Sequence, residues 1–299
     1  MKRRDFVQSS LGGLLLSKSI VSDFGSPKSA HTFKHHYAPH FGMFKNHAGE
    51  DLVDQLKFMA DQGFTGLEDN GLLGRSIQDQ EKIGNTLAKL GMKMGVFVID
   101  GGDNWKASLT TGKQEFQDKF LATCQLSVEA AKRVNAQWAT VVPGFYNRVT
   151  PIGIQTANVV DSLRKGSDIL EKSGLIMVLE PLSDTPDLFL RNSDQTFEIC
   201  KAVDSPSCKI LYDIYHMQRN EGNLINSINA CWDEIAYFQI GDNPGRKEPT
   251  TGEINFKTIF KHIYDKGYRG IMGMEHGNAQ EGKAGEIALI EAYKTVDKF

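Results

Sequence analysis

Short apolar runs alternate with longer stretches of helical period from His36 to the end of the chain. His36–Phe44 reads as a first short strand and its loop. Glu50–Gln62 then places Leu52, Leu56 and Met59 on one helical face. Gly63–Glu68 is a second strand ending on an acid. Ile83, Leu87 and Leu90 mark the next helix, which Gly91 can cap. Met92–Ile99 is a third strand, and Phe116, Phe120, Val128, Ala131 and Val134 follow along a long helix. Gln137–Val142 is a fourth strand, stopped by Pro143 and Gly144, and Ala157–Ser173 is the helix after it. Leu175–Leu179 is a fifth strand, almost wholly apolar, with Glu180 as the first charge behind it. Asn192–Val203 is helical, Lys209–Tyr212 is a strand ending at Asp213, and Leu224–Ile228 begins another helix. Ile235–Ile240 is a seventh strand with the amide Gln239 inside it. Asn255–Lys266 is a helix, Gly270–Met274 is a strand ending at Glu275, and Gly282–Lys298 is a last helix.

Apolar strands separated by amphipathic helices argue for a parallel sheet covered by helices. Eight such pairs match a (β/α)8 TIM barrel, for which roughly 250 residues are typical. A doubly wound open sheet would more naturally carry G-x-G-x-x-G after its first strand, and that motif is missing here. No linker or low-complexity stretch divides the chain, so a single domain over residues 31–299 is expected.

The first thirty residues have a different character. Lys2, Arg3 and Arg4 precede a modest apolar stretch, Leu11–Ile20, and small residues follow up to Ala30. That order is the pattern of a secretory signal, and the arginine pair before Phe6 resembles a twin-arginine leader. Residues 1–30 are therefore expected to direct export, into the periplasm, with a cytoplasmic location as the alternative. The net charge of −3, with no long basic run, leaves no nucleic-acid footprint. No apolar segment approaches the roughly 20 residues that span a bilayer. The cysteines, Cys124, Cys200, Cys208 and Cys231, lack C-x-x-C spacing and read as buried thiols, with a Cys200–Cys208 bridge left open. A homo-oligomer is compatible with the sequence.

Candidate chemistry lies at the strand ends. In a barrel the C-terminal ends of the strands converge on one face, where active sites sit. Glu180, Asp213, Gln239 and Glu275 stand there, each about one β/α unit after the last, so they belong to consecutive strands. A carboxylate at a strand end is, taken alone, as readily a helix cap or a surface charge. Three together would repel one another without a cation between them. An all-oxygen set favours a hard ion, Mg2+ or Mn2+. His216 follows Asp213 within Asp-Ile-Tyr-His, and the Gly- and Pro-rich loop after Gln239 carries Arg246 and Glu248. These three are the candidate substrate contacts. Arg246 can fork onto a carboxylate or hydroxyl pair, or pair with Glu248 at the rim.

At these residues the chain resembles the hydroxypyruvate isomerase family, within the wider xylose-isomerase-like sugar isomerase/epimerase barrels. The matching pieces are Glu180-Pro181, the tract from Tyr212 to Gln218 with Glu221-Gly222, the tract from Gln239 to Asn255, and Gly267-Tyr268 through Glu275. The resemblance covers most of residues 36–299 and is sharp from Glu180 onward. It implies that Glu180 and Glu275 are the acid/base pair and that all four strand-end residues bind the metal. The chain departs from the family at Phe238, where His is common, at His276, where an aromatic is common, and in its leader.

The expected reaction is a proton shift between adjacent carbons of an α-hydroxy carbonyl compound or small sugar, through an enediolate. A ketose 3-epimerase is the second reading, although such enzymes carry His where Gln239 stands. A non-catalytic, exported carbohydrate-binding barrel is the third.

Overall fold

The computed structural model describes residues 31–299; the expected leader lies outside them. Eight strands run in chain order: β1 (His36–Ala38), β2 (Gly66–Leu67), β3 (Lys93–Met94), β4 (Trp138–Val141), β5 (Ile176–Leu179), β6 (Cys208–Asp213), β7 (Ile235–Gln239) and β8 (Ile271–Gly273). Six of them form one parallel sheet in the order β1-β8-β7-β6-β5-β4, and β2 pairs with β3. Single parallel bridges, His40 to Glu68 and Val98 to Thr140, join the two sheets into a closed ring. The result is a TIM barrel, as the alternation of patterns predicts.

The main helices, Leu52–Asp61, Ile77–Leu90, Gln114–Val134, Ile152–Leu170, Ser193–Val203, Leu224–Cys231, Phe256–Asp265 and Gly282–Val296, follow the strands one by one. Local sequence sets several ends. Asp51 caps Leu52–Asp61 by accepting from the N–H groups of Val53 and Asp54, at 2.8 and 3.1 Å. Ser76 caps Ile77–Leu90, and Gly91 closes it at φ 67°. The fourth helix begins at Ile152, earlier than its apolar spacing predicts. Buried Gln155 fixes that start: its amide donates to the carbonyls of Asn147 and Thr150 and accepts from Asn147 N–H, holding the incoming loop.

The third strand is shorter than Met92–Ile99. Directly after it stands Gly95, where a Cβ would meet the Tyr237 hydroxyl at 2.4 Å. Tyr237 fills the barrel axis together with Ala38, Val96, Val178, Leu211 and Ile271, apolar side chains drawn from both halves of the ring. Two residues along β7, Gln239 points to the same interior, one layer nearer the mouth. Phe238, between them, faces outward and packs on Tyr212, Trp232 and Tyr268. The departure from the family at Phe238 therefore belongs to the helix-facing core. All four cysteines are free and buried, so Cys200 and Cys208 do not form a bridge.

Candidate active site

Register places the site. Asp213 lies opposite Gln239, and Gln239 opposite Gly273, so the last residues of β6, β7 and β8 reach one height. Glu180 follows β5 directly, and Glu275 stands two residues beyond β8. One atom from each of Glu180, Asp213, His216 and Glu275 lies within 4.8 Å of the others.

Asp213 serves two purposes. Its Oδ1 caps a short helix, Ile214–Asn220, by accepting from Tyr215 N–H at 2.7 Å and His216 N–H at 3.3 Å. Its Oδ2 faces the cluster, 3.6 Å from His216 Nε2 and 3.4 Å from the Arg246 guanidinium. The cap and the site are one residue, and the cap's helix carries His216 into place. The apolar run Ile214-Tyr215 concealed that helix in the sequence.

His216 is fully buried. Its Nδ1 contacts Ser183 N–H at 3.1 Å and Ser183 Oγ at 2.8 Å. A main-chain N–H can only donate, so Nδ1 is the acceptor and Nε2 carries the proton. Nε2–H has no hydrogen-bond partner, and the carboxylates of Asp213, Glu180 and Asp184 stand 3.6, 3.8 and 3.8 Å from it. Burial lowers its pKa below 6.5. The ring presents a donor to the cavity, which removes it from the set of metal ligands.

Arg246 sits at φ 49°, an uncommon conformation for a residue other than glycine, with its N–H on Asp242 O at 2.8 Å. Asp242 accepts in turn from Gly252 and Ile254 N–H, which holds the loop's shape. The guanidinium reaches Glu275 Oε2 at 2.8 Å, and its Nε donates to Glu275 O at 3.2 Å. It does not pair with Glu248. Glu248 stays out of the cluster: its buried carboxylate accepts from Ala279 N–H at 2.8 Å and ties the loop after β7 to the loop after β8.

The structure adds residues to those expected. Glu68, after β2, is buried beside the cluster and accepts from Gln239 Nε2. Asn70 donates to Glu275 Oε1 at 3.0 Å. Ser183 and Asp184 complete the wall around His216. The acid ending the second strand was legible, but its place beside Gln239 depends on ring closure.

Crowding shows in the titration of these groups. Burial first, and then the charge of Glu275, raise the Glu68 and Glu180 carboxyls well above the usual range. Glu275 has an open flank, with 25% of its side chain exposed. Burial nevertheless pushes it up to about 7, with Arg246 opposing the rise and Asp213 adding to it.

The donors fit a hard divalent ion. Glu180 Oε1 and Gln239 Oε1 are buried without hydrogen-bond partners, and Asp213 Oδ2 faces the same space. Gln239 donates through Nε2 to Glu68, which leaves its oxygen for the ion. A cavity of about 280 Å³ opens over this cluster between Glu180, Glu275, His216, Arg246 and the exposed ring of Trp105.

The chain is similar to known proteins in sequence and in fold. Residues 56–294 match the family model described as xylose isomerase-like TIM barrel. The hydroxypyruvate isomerase of Escherichia coli (strain K12) is 30% identical over 253 residues, which are 82% of this chain and 94% of that one. The 2-oxo-tetronate isomerase of Pectobacterium atrosepticum is 26% identical over 240 residues, 77% of this chain and 89% of that one. In fold, the chain is similar to the 3-keto-D-glucoside 4-epimerase of E. coli, with a TM-score of 0.74 at 19% identity, over 88% of this chain and 100% of that one.

Proposed function

Since the chain belongs to the xylose isomerase-like TIM barrel family, and is an isomerase by its kinship there, we propose that it interconverts an α-hydroxy ketone and its aldehyde isomer with a divalent metal ion. The convergence of Glu180, Asp213, His216 and Glu275 within 4.8 Å carries this reading. Glu180, Asp213, Gln239 and Glu275 would hold the ion, Mg2+ or Mn2+, which when bound supplies Lewis-acid charge to the substrate's oxygens.

The chain's own groups do the rest. One carboxylate of the Glu180 and Glu275 pair takes the proton from the hydroxyl-bearing carbon and delivers it to the former carbonyl carbon, while the other carries the hydroxyl proton from the one substrate oxygen to the other. Burial pushes the Glu275 carboxyl up to about 7 and raises that of Glu180 as well, so both hold a proton more readily than a solvated carboxylate. His216 Nε2–H donates to the oxygen on which charge develops, in a buried setting that strengthens the bond. Arg246 braces Glu275 and adds positive charge at the same mouth. Hydroxypyruvate, the substrate in the name of the E. coli relative, is the first candidate.

The test is turnover of hydroxypyruvate and of a ketose panel by Mn2+- or Mg2+-loaded protein, followed by proton exchange in NMR. Metal-dependent isomerisation with exchange at the reacting carbon is expected. Inversion of a ketose at C3 without isomerisation would replace this reading with the 3-epimerase, and binding without turnover would leave a carbohydrate-binding barrel. Export through residues 1–30 belongs to the same reading, and rests on the Arg3-Arg4 pair and the small residues near Ala30. N-terminal sequencing of protein from its native host should begin near residue 31, and an intact Met1 on active protein would remove export.

A further inference from the structure

Glu275 is held at both carboxylate oxygens. Its Oε2 accepts from the Arg246 guanidinium at 2.8 Å, and its Oε1 accepts from the side-chain amide of Asn70 at 3.0 Å. One donor comes from the loop after β7, and the other from the turn after β2, 205 residues away in the chain. Among the described residues Asn70 is the only donor to Oε1.

The turn after β2 is built to present that amide. Asp69 N–H donates to Val96 O at 3.2 Å and Val98 N–H to Asn70 O at 3.4 Å, which ties the main chain at Asn70 to the stretch after β3. The buried carboxylate of Asp69 accepts twice from Arg75, from Nε at 2.5 Å and from Nη2 at 3.1 Å. Arg75 lies 4.8 Å over the Phe41 ring. Buried Gln80 donates to the carbonyls of Leu72 and Arg75, each at 3.1 Å. The segment from Asp69 to Arg75 is thereby closed on itself. Asn70 stands on its inner side and lines the cavity over the cluster.

We infer that Asn70 is a positioning residue for Glu275, the neutral half of a clamp whose charged half is Arg246. The inference rests on the isomerase reading and adds to it a residue that acts through Glu275. A carboxylate held by Arg246 alone can turn about the bond that carries its carboxyl group. A second donor on the other oxygen removes that freedom, and fixes the plane in which Glu275 meets the proton it moves. The rigid turn under Asn70 makes this orientation part of the resting fold, so it is in place before substrate arrives.

The experiment measures kcat, KM and deuterium isotope effects on kcat for Mn2+-loaded wild type, Asn70→Ala, Asn70→Asp and Asn70→Gln, with hydroxypyruvate or the ketose that turns over. Deuterium is placed at the reacting carbon in one series and in the solvent in the other. Asn70 is itself exposed, so the variants should fold. Asn70→Ala should lower kcat by about ten- to a hundredfold, the scale of an ångström of misplacement, and leave KM little changed. At least one of the two isotope effects should rise, because the proton step carried by Glu275 becomes slower than product release. Asn70→Asp has the same shape, no N–H, and a like charge beside Glu275, so it should fall at least as far. Asn70→Gln keeps an N–H and should lose less. An unchanged kcat, a fall in kcat with neither isotope effect raised, or a change in KM alone overturns the role. If no substrate turns over, the isomerase reading falls by itself, and NMR exchange of the Asn70 side-chain amide protons with water then decides the clamp. Slower exchange in wild type than in Glu275→Ala supports it. Equal exchange in the two proteins overturns it.

Discussion

The main-chain N–H of Ser183 donates to Nδ1 of His216, so the imidazole can present only Nε2–H to the cavity. A backbone amide cannot reverse its role, which makes the tautomer a property of the fold. Protonation of Nδ1 would expel the Ser183 contact in a buried place, consistent with the direction in which burial moves the pKa.

The first prediction follows. At pH 6.5, ¹⁵N NMR should show His216 neutral, with Nε2 protonated and Nδ1 bare. His216→Ala should lower kcat/KM by about ten- to a hundredfold, as expected for a lost buried hydrogen bond. His216→Gln, which can still offer an N–H, should lose less. An Nδ1–H tautomer, or an imidazolium at that pH, would contradict the assignment.

The second prediction separates holding the ion from moving protons. If Glu180 and Glu275 move protons, the amide of a Gln variant cannot accept one from carbon. Each Glu→Gln variant at full metal occupancy should then lose at least about a hundredfold in turnover. Asp213→Asn keeps an oxygen to cap Ile214–Asn220, so its folding should survive and added Mn2+ should recover part of its activity. Turnover against metal concentration, with occupancy from elemental analysis, checks this. Full rescue of both Glu variants by metal would leave the acid/base roles without support.

Most of the architecture is legible in the chain itself. Inward and outward residues of buried parallel strands are both apolar, which makes each strand a continuous run, and a charge ends it at the mouth. Glu180, Asp213 and Glu275 stand out for that reason. Glu68 has the same position after Leu67, yet its partner Gln239 is 171 residues away. Their meeting depends on the way β1 seats β2 beside β8, and one sequence does not state that ring closure. Ser183 and Asp184 are hidden differently. They lie in a loop with no periodicity, and their importance comes from His216, which a short helix carries across to them. Glu248 misleads in the opposite sense, since a charge in a Gly- and Pro-rich loop reads as exposed and available, while the structure uses it to join two loops.

The third prediction concerns pH. The carboxyl of Glu275 is raised from 4.5 to about 7 in the folded chain, and those of Glu68 and Glu180 move the same way. For an acid with a raised folded pKa, the native state holds the proton more tightly than the unfolded one. Its stabilising effect is complete below the unfolded value and is lost as pH rises through the folded one. Metal-free protein should therefore melt at progressively lower temperature between pH 4.5 and about 7, with these three groups dominating the trend. A divalent ion binds the ionised forms, so saturating Mn2+ should flatten or reverse that slope. Melting curves over this range with and without Mn2+ are the measurement. The same slope in both would mean that the cluster does not bind the ion.

The last prediction tests whether Gly273 exists to admit Glu68. A Cβ on Gly273 would stand 1.7 Å from Glu68 Oε2 and 2.6 Å from its Cδ. The clashing atoms belong to the end of a side chain, which elsewhere could swing aside. Glu68 is buried against Gln239 and has no such freedom without leaving its partner. Gly273→Ala should thus cost about 1–3 kcal/mol of stability, the usual range for overpacking. It should also weaken Mn2+ binding, because Gln239 Nε2 loses the acceptor that turns its oxygen toward the ion. Removing the obstacle gives the decisive comparison. Glu68→Ala deletes the three atoms nearest that Cβ, so introducing Ala at 273 in that background should cost far less than it does in the wild type. The double-mutant cycle should yield a coupling on the order of 1 kcal/mol or more in melting experiments, well above the few tenths expected of independent sites. Additive losses would place the strain in the β8 backbone and leave Glu68 with no part in the choice of glycine.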